Sequence, residues 1–426
     1  MRQIDGIAEA RNYHDESRYG TFAILRKDSN SPNKQQRAYP LRELANVIEG
    51  LDKTQDTWIS QGEFKGFNRR VVNLLRTGVV FADLDTYRTP FREYSPETLA
   101  WIVVQRCHDE GLPIPSIILF SGRGLQVKWF LSSPVPGRAL PRWNAVQKAL
   151  GTALSDLGAD PSARDASRVL RLAGTVNTKS GEFTRVIHVT GQPDSPLLHN
   201  FEELAEAVLP VAREQLRKKA KPSLQLLQGG HTGNLKTLNG GQLAWDRLHD
   251  LRKLVQLRGG SAPEGQRMTF LFWMLNFASL SGQIHSSQFW YESRTLAAEI
   301  APEWPVRLEE LSTLYHKAKS YNDGQMVDFG GRKYPQLYTP KNQHLIDLFG
   351  ITDDEQQQLR TVITPTLARE RRRDRDRKRD EARRRASGAV DRATYESQSA
   401  SKQKPWEALG MSRRTWYRKG KPLPNG

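Results

Sequence analysis

Apolar and polar positions divide the chain into stretches of different rhythm. Over residues 1–210, short apolar runs alternate with helical segments. Val79–Phe81, Ile117–Phe120, Leu125–Leu131, Val169–Leu172 and Arg185–Val189 have the length and composition of strands. Ser95-Pro96 reads as a helix start, with Ser as N-cap and Pro at the first helical position. That helix is predicted to run to about His108 and to stop at Gly111. Trp143, Val146, Leu150, Leu154 and Leu157 recur at spacings of three and four, which predicts a second helix over 141–157 with one buried stripe. Residues 1–210 are therefore expected to form one α/β (α+β) domain.

Residues 211–243 begin near a basic run, contain Gly and Asn pairs and lack apolar periodicity, so they read as a linker. Helical periodicity returns over 244–365. Phe270, Phe272, Trp273, Leu275 and Phe277 make one helix apolar nearly all round, the expected centre of a small bundle. Further helices are predicted near Pro340 and Asp353. Residues 366–400 read as an Arg/Asp-rich helix and a Ser/Ala-rich spacer. Residues 401–426 have the rhythm of a short helix-turn-helix.

Composition narrows the function. Hydrophobic residues are 37% of 426, below the roughly 45–50% of ordinary globular chains. No apolar run approaches the ~18 residues of a membrane span, so no membrane role is expected. The first residues lack the apolar core of a secretory signal. A single cysteine, Cys107, excludes an intrachain disulfide and cysteine-rich zinc sites, and it fits a reducing cytoplasm. The formal charge of +17 points to a polyanion, most often nucleic acid. Most of that charge is local. Residues 369–421 hold 19 basic against 8 acidic side chains, so +11 of the excess lies there.

Three motifs in the nearly balanced body carry candidate chemistry. In Val79–Tyr87 (VVFADLDTY), strand alternation places Asp83 and Asp85 on one face. Adjacent carboxylates stay ionised cheaply only around a cation, and hard divalent ions prefer oxygen ligands. The other reading is a strand end with two solvated acids. Next comes a hairpin with the turn Ser121-Gly122-Arg123-Gly124. It either offers N–H groups, a hydroxyl and a guanidinium to phosphate oxygens or is an ordinary Gly-rich turn. In its return strand Leu125, Val127, Trp129 and Leu131 share one face, and Gln126 and Lys128 the other. The third motif clusters Asp160, Asp165, Arg168, Arg171, Asn177 and Lys179 within about 20 residues. Together these are the parts of a nucleotidyl transferase: acids for two metal ions and cations for a triphosphate and template.

The order DxD, then SGRG and its strand, then D…RVLRLxGTxNxK resembles the archaeo-eukaryotic primase (primase-polymerase) superfamily, in particular replicative primases of bacterial plasmids and mobile elements. Trp58, Ser60, Phe64, Asn68 and Arg69, ahead of FADLDTY, match the style of that group. The resemblance covers roughly residues 20–200. It implies a catalytic domain with an RRM-like mixed sheet, and Mg²⁺ or Mn²⁺ held by Asp83, Asp85 and Asp160, with Asp165 as the alternative third acid. Ser121, Gly122, Arg123, Gln126 and Lys128 would contact the nucleotide; Arg168, Arg171, Asn177 and Lys179 would contact nucleotide or template. Implied partners are single-stranded DNA template, NTPs or dNTPs and a separate replicative helicase, since no G-x-x-x-x-G-K-[ST] occurs. Two departures stand out. Gln126 occupies the place of the family's frequent His, and Ala173 replaces the Pro before GTxN.

Residues 244–345 resemble the accessory helical domain that follows the catalytic domain in such primases, with Arg252, Arg258 and Arg267 as candidates for template or initiating nucleotide. The 369–385 stretch reads either as a solvated, salt-bridged helix or as a phosphate-tracking one. Arg413, Arg414, Trp416, Tyr417, Arg418 and Lys419 put aromatics among cations, which suits DNA contact. Two alternative readings remain. One is a non-catalytic DNA-binding replication initiator with a primase-like fold. The other is a metal-dependent nuclease or relaxase, although the nine histidines form no close pair.

Overall fold

The computed structural model describes residues 4–27, 33–209, 232–387 and 400–422. They fall into two units: residues 1–341 with 358–361, and residues 342–357 with 362–426. The first unit is built on a ten-stranded mixed sheet. Its strands are β1 (Thr21–Lys27), β2 (Lys34–Pro40), β3 (Asp56–Ser60), β4 (Gly62–Phe64), β5 (Leu74–Leu84), β6 (Ile117–Phe120), β7 (Leu125–Pro136), β8 (Val169–Arg171), β9 (Arg185–Val189) and β10 (Leu198–His199). The order is β9-β6-β7-β5-β4-β1-β3-β8, with β2 antiparallel on β1 and β10 parallel to β7. All five predicted strands are present. The other five, β1–β4 and β10, were not anticipated. β2 (KQQRAYP) is mostly exposed and has no apolar alternation to announce it; only its ladder with β1 reveals it.

The centre of the sheet explains itself. Val79, Val80, Phe81 and Leu84 of β5 are buried, as are Ile117, Ile118, Leu119, Val127, Trp129 and Phe130 of its neighbours. Helix α1 (Gly6–Arg11) is followed by α2 (Leu44–Glu49), then α3 (Pro96–Asp109), capped by Ser95 as expected. Helix α4 (Leu140–Ala153) buries the predicted stripe. Its Trp143 indole N–H donates to the Val79 carbonyl at 3.0 Å, and Gln147 accepts from the Phe81 N–H at 2.8 Å. The α4 periodicity continues through a 3₁₀ turn at Ser155–Leu157, so the predicted helix is split near its end.

The polar side of β7 is not solvated. Lys128 is fully buried and donates to Glu9 of α1 at 2.6 Å, its ammonium 5.0 Å from the Tyr13 ring. Gln126 is also buried.

Helix α5 (Phe201–Val208) precedes residues 210–231, which lie outside the described residues. The expected linker 211–243 falls partly there; its second half is helix, because α6 spans Thr232–Leu257. A helical hydrogen-bond ladder continues through these polar residues without needing the apolar stripe that sets in at Trp245. Helices α7 (Arg267–Leu280), α8 (Phe289–Ile300) and α9 (Ser312–Asn322) follow, with Phe270, Leu271, Leu275 and Phe277 of α7 buried as predicted.

These helices pack onto the sheet rather than standing apart. Trp245 donates to the Gly137 carbonyl at 2.8 Å, and Arg70 forms a buried pair with Glu292 of α8. Arg252 pairs with Glu299 at 2.7 Å and also donates to Asn73 at 2.9 Å and to the Val72 carbonyl. Arg252 is thus a strut between layers, not a free cation. No helix among the described residues is long and apolar enough to cross a membrane.

The second unit contains α10 (Asn342–Phe349), α11 (Asp353–Gln358) and the 22-residue α12 (Pro365–Ala386). On α12, exposed pairs such as Arg377–Asp374 and Arg379–Asp376, each at 3.0 Å, make the salt-bridged helix anticipated from its charge pattern. Two short helices, α13 (Pro405–Ala408) and α14 (Arg413–Arg418), close around Trp406 and Trp416, with ring centres 5.9 Å apart.

The Glu9–Lys128 pair yields a stability prediction. Truncating Glu9→Ala strands a buried ammonium and should cost about 3–5 kcal/mol. The Glu9→Leu/Lys128→Met double variant should recover most of it. Urea unfolding of both tests this; an equal loss in single and double variants would contradict it.

Candidate active site

β5 stops at Leu84, where Asp85 turns the chain into a 3₁₀ turn at Thr86–Arg88. Two distant segments sit against this strand end, and a third clamps one of them. The Asp160 N–H donates to the Asp83 carbonyl, and the Asp85 N–H to the Gly158 carbonyl, both at 2.8 Å. This bridge places Asp160, not Asp165, beside the DxD pair. The SGRG turn is the second segment. A Cβ on Gly124 would lie 2.2 Å from the Leu84 carbonyl oxygen, so only glycine lets the turn sit against the strand end. Asn177 is the third, its side-chain N–H donating to the Ser121 carbonyl at 2.9 Å. Gly122 has φ +90, and a Cβ there would meet the Asn177 side chain at 2.6 Å.

The carboxylates feel one another. Asp83 is half-buried, and its carboxyl is pushed up to about 6, first by burial and then by Asp85; Arg168 opposes this, and Asp160 adds to it. Asp85 and Asp160 line a common depression of about 340 Å³. Asp85 pairs with Arg88 at 3.2 Å. Burial first and Asp85 second raise the Tyr87 hydroxyl. Asp160 accepts from the Ser162 N–H and hydroxyl, both at 2.8 Å.

Among the described residues, no three His, Cys, Asp or Glu side chains stand close enough to hold a metal as arranged. The donor set nonetheless fits a hard divalent cation. It is all oxygen, and a cation would relieve both the burial cost and, after it, the repulsion by Asp85 that lift the Asp83 carboxyl.

Several nominated nucleotide ligands turn out to be engaged internally. Lys128 is spent on Glu9, behind the site, so it is not a surface phosphate ligand. Ser121 uses its hydroxyl to close its own turn, donating to the Gly124 carbonyl at 3.0 Å. The Arg123 guanidinium lies over the Tyr87 ring at 4.2 Å. Gln126 stands opposite Asp83 in the β5–β7 ladder. Its amide accepts from the Arg171 N–H at 3.0 Å and donates to the Arg171 carbonyl at 3.3 Å. β8 ends the strand order and β7 lies five places from it, so this contact brings that end of the sheet over β7. Arg171 itself pairs with Asp56 at 2.6 Å. Lys179 is exposed.

Asp165 and Arg168, paired at 3.3 Å, border a different feature. A cleft of about 1060 Å³ opens between these loops and helix α8. Arg69, Arg164, Arg168 and Lys148 line it from the sheet side, and His285 and Tyr291 from the helical side. Arg69 is fixed to Gln36 at 2.8 Å and to the Ser167 carbonyl. The sequence reading missed Lys148, Arg164 and Tyr291, because nothing local distinguishes them from solvated residues. It also missed Glu9 and Asp56, acids whose importance lies in buried cations far along the chain.

In the tail, Trp416 is a core residue, its indole donating to the Pro422 carbonyl at 2.8 Å, so it is not available for stacking. Arg413, Arg414, Tyr417, Arg418 and Lys419 are at the surface.

No family model matches the chain. It is 25% identical over 319 residues to a "Replication protein" of Clostridium perfringens, covering 74% of this chain and 71% of that protein. Among solved structures it is similar to the primase-polymerase domain of cyanophage S-2L, with 21% identity and a TM-score of 0.34, over 46% of this chain and 91% of that one. It is also similar to the primase RepB′, with 14% identity and a TM-score of 0.30, over 75% of this chain and 95% of that one. At such TM-scores these are likenesses only, and the chemistry rests on the residues described above.

The raised Asp83 carboxyl makes a signed prediction. The native carboxyl, at about 6 against an ordinary 3.8, binds its proton more tightly than the unfolded chain does. Wild type therefore loses stability as pH rises from about 4 through 6. In chelating buffer, Asp83→Asn should exceed wild type in stability by roughly 1–3 kcal/mol at pH 7.5, with no gain near pH 4. Urea unfolding at both pH values measures this; a pH-independent difference would refute it.

Proposed function

We propose that this protein is a replication primase that makes short primers on single-stranded DNA by metal-dependent nucleotidyl transfer. The observation that carries the reading is the main-chain bridging of Asp160 to the Asp83–Asp85 strand end, beside a glycine turn that only glycine can seat there. Three acids brought together from distant positions, at an electrostatic cost, suit the stabilisation of an attacking hydroxyl and a leaving pyrophosphate. Asp83, Asp85 and Asp160 would hold Mg²⁺ or Mn²⁺, which would supply charge neutralisation at the reacting phosphate. The replication role of the Clostridium relative and the primase likenesses agree with this. We assign the protein to a plasmid or other mobile element acting in the cytoplasm, with a separate helicase.

The basic cleft beside α8 is the proposed path of the template strand. Arg69, Arg164, Arg168 and Lys148 meet phosphates there, and Tyr291, 55% exposed, offers a stacking surface. The α12 helix and the surface cations of α14 add a salt-sensitive DNA tether.

Two measurements test the reading. Wild type should extend labelled nucleotides into short products on single-stranded DNA with Mg²⁺ or Mn²⁺, and Asp83→Ala/Asp85→Ala should reduce this at least 100-fold, the order of losing a metal-held transition state. DNA binding without synthesis by wild type would favour the non-catalytic initiator, and shortened template would favour the nuclease. Separately, removing residues 366–426 should weaken DNA binding and flatten its dependence on salt, while synthesis persists at low salt. An unchanged salt slope would exclude the tether.

A further inference from the structure

Two buried, oppositely charged side chains meet along the basic cleft. Arg70 is 3% exposed and Glu292 5%, and both line the cleft. The Arg70 Nε–H donates to Glu292 at 3.0 Å, and a terminal guanidinium N–H donates to the same oxygen. Arg70 precedes the 3₁₀ turn at Val71–Asn73, which leads straight into β5, the strand that ends at the carboxylates. Glu292 lies in the first turn of α8. The pair therefore joins the root of that strand to the helix that walls the cleft.

Holding two layers together does not require a charged contact. Two charges buried as a pair give up their hydration, and apolar side chains of similar volume often hold such a junction as well or better. What the pair adds is registry, because a planar guanidinium fork meets a carboxylate in few geometries. The chain neighbours show what is registered. Arg69, next to Arg70, is fixed to Gln36 at 2.8 Å and lines the cleft from the sheet side. Tyr291, next to Glu292, lines it from α8 and is exposed. The two feel each other. Burial first holds the Arg69 guanidinium below its ordinary value, and Asp165 opposes this; Arg168 adds to the lowering, and Tyr291 works against it. A second tie, from Arg252 to Asn73 and Glu299, holds α8 further along, and none of these three residues lines the cleft. The Arg70–Glu292 pair is thus the tie that bears on the cleft itself.

We propose that Arg70 and Glu292 are positioning residues for the template strand: their pair sets the separation of Arg69 and Tyr291, so that one strand meets a phosphate contact on one wall and a stacking ring on the other. This rests on reading the cleft as the template path. Neither member of the pair touches the strand. A displacement of α8 by about an ångström would leave both contact groups present and unable to engage the same nucleotides together.

The test is binding of a labelled single-stranded oligonucleotide to the full chain over a range of salt. The fluorescent base 2-aminopurine, placed at successive positions, reports stacking through its quenching. Wild type should quench one position, and Tyr291→Ala should abolish that quenching. Arg70→Met/Glu292→Leu leaves an apolar junction and strands no charge, so its urea midpoint should stay near that of wild type. Its affinity should nonetheless fall about tenfold, the order of losing one stacked base, with the quenching lost. The slope of log affinity against log salt should stay as in wild type, whereas Arg69→Ala should reduce it by about 0.7, the share of one phosphate contact. Wild-type affinity and quenching in the double variant would overturn the proposal and leave the pair a plain structural contact. A slope loss matching that of Arg69→Ala also overturns it, since Arg70 would then hold phosphate itself. Should the double variant unfold, Arg70→Lys decides: it keeps the charge and loses the fork, so quenching should weaken, and unchanged quenching overturns the proposal as well. Failure of the template reading is separately visible. Tyr291→Ala and Lys148→Ala would then leave oligonucleotide binding unchanged, which removes the basis of the proposal whatever the pair variants do.

Discussion

Like charges do not gather unaided, and the site depends on a device that makes them. Asp83, Asp85 and Asp160 repel one another, and burial makes the Asp83 charge costlier still. What holds them is main-chain hydrogen bonding, which does not depend on side-chain charge: Asp160 N–H to Asp83 and Asp85 N–H to Gly158. These bonds can form only because β5 ends at Leu84 and because glycine at 124 and 158 lets the adjoining backbones approach. Fold stability therefore supports a local arrangement that side-chain electrostatics oppose. Such conflict between a local cost and the global structure is a common mark of functional sites.

The surroundings distribute positive charge in three ways. Lys128 is locked to Glu9 beneath the sheet, where it moderates the field at Asp83 without touching solvent. Arg70 and Arg252 are consumed in joining the helical layer to the sheet. Arg69, Arg164, Arg168 and Lys148 are left facing an open cleft. The helical layer is thus more than an accessory: α8 supplies one wall of that cleft. The overall charge of +17 hides this organisation, since the tail dominates the total.

The central strands, the Ser95 helix cap and the apolar helix α7 were legible in the sequence, because buried apolar runs, a Ser-Pro helix start and an all-round apolar segment leave local signatures. The DxD, SGRG and Asn177 motifs were legible as candidates, and the structure brings them together at the end of β5. β2 was not, because an exposed edge strand owes its existence to its partner's ladder and not to its own composition. The fates of Lys128, Arg171 and Trp416 were equally hidden. Each looked like a ligand by type, and each is held by a partner that sequence distance gives no means to pair.

By itself, then, the sequence determined which motifs are candidates for chemistry and their order along the chain. Only the tertiary structure places Asp160, and not Asp165, beside the DxD pair, through one backbone bridge to β5. It alone decided which cations are buried counter-ions and which still lack an acid. The physical reason is common to both: hydrogen-bond registry and charge pairing are set by distances in space, and a linear pattern of residue types does not contain those distances.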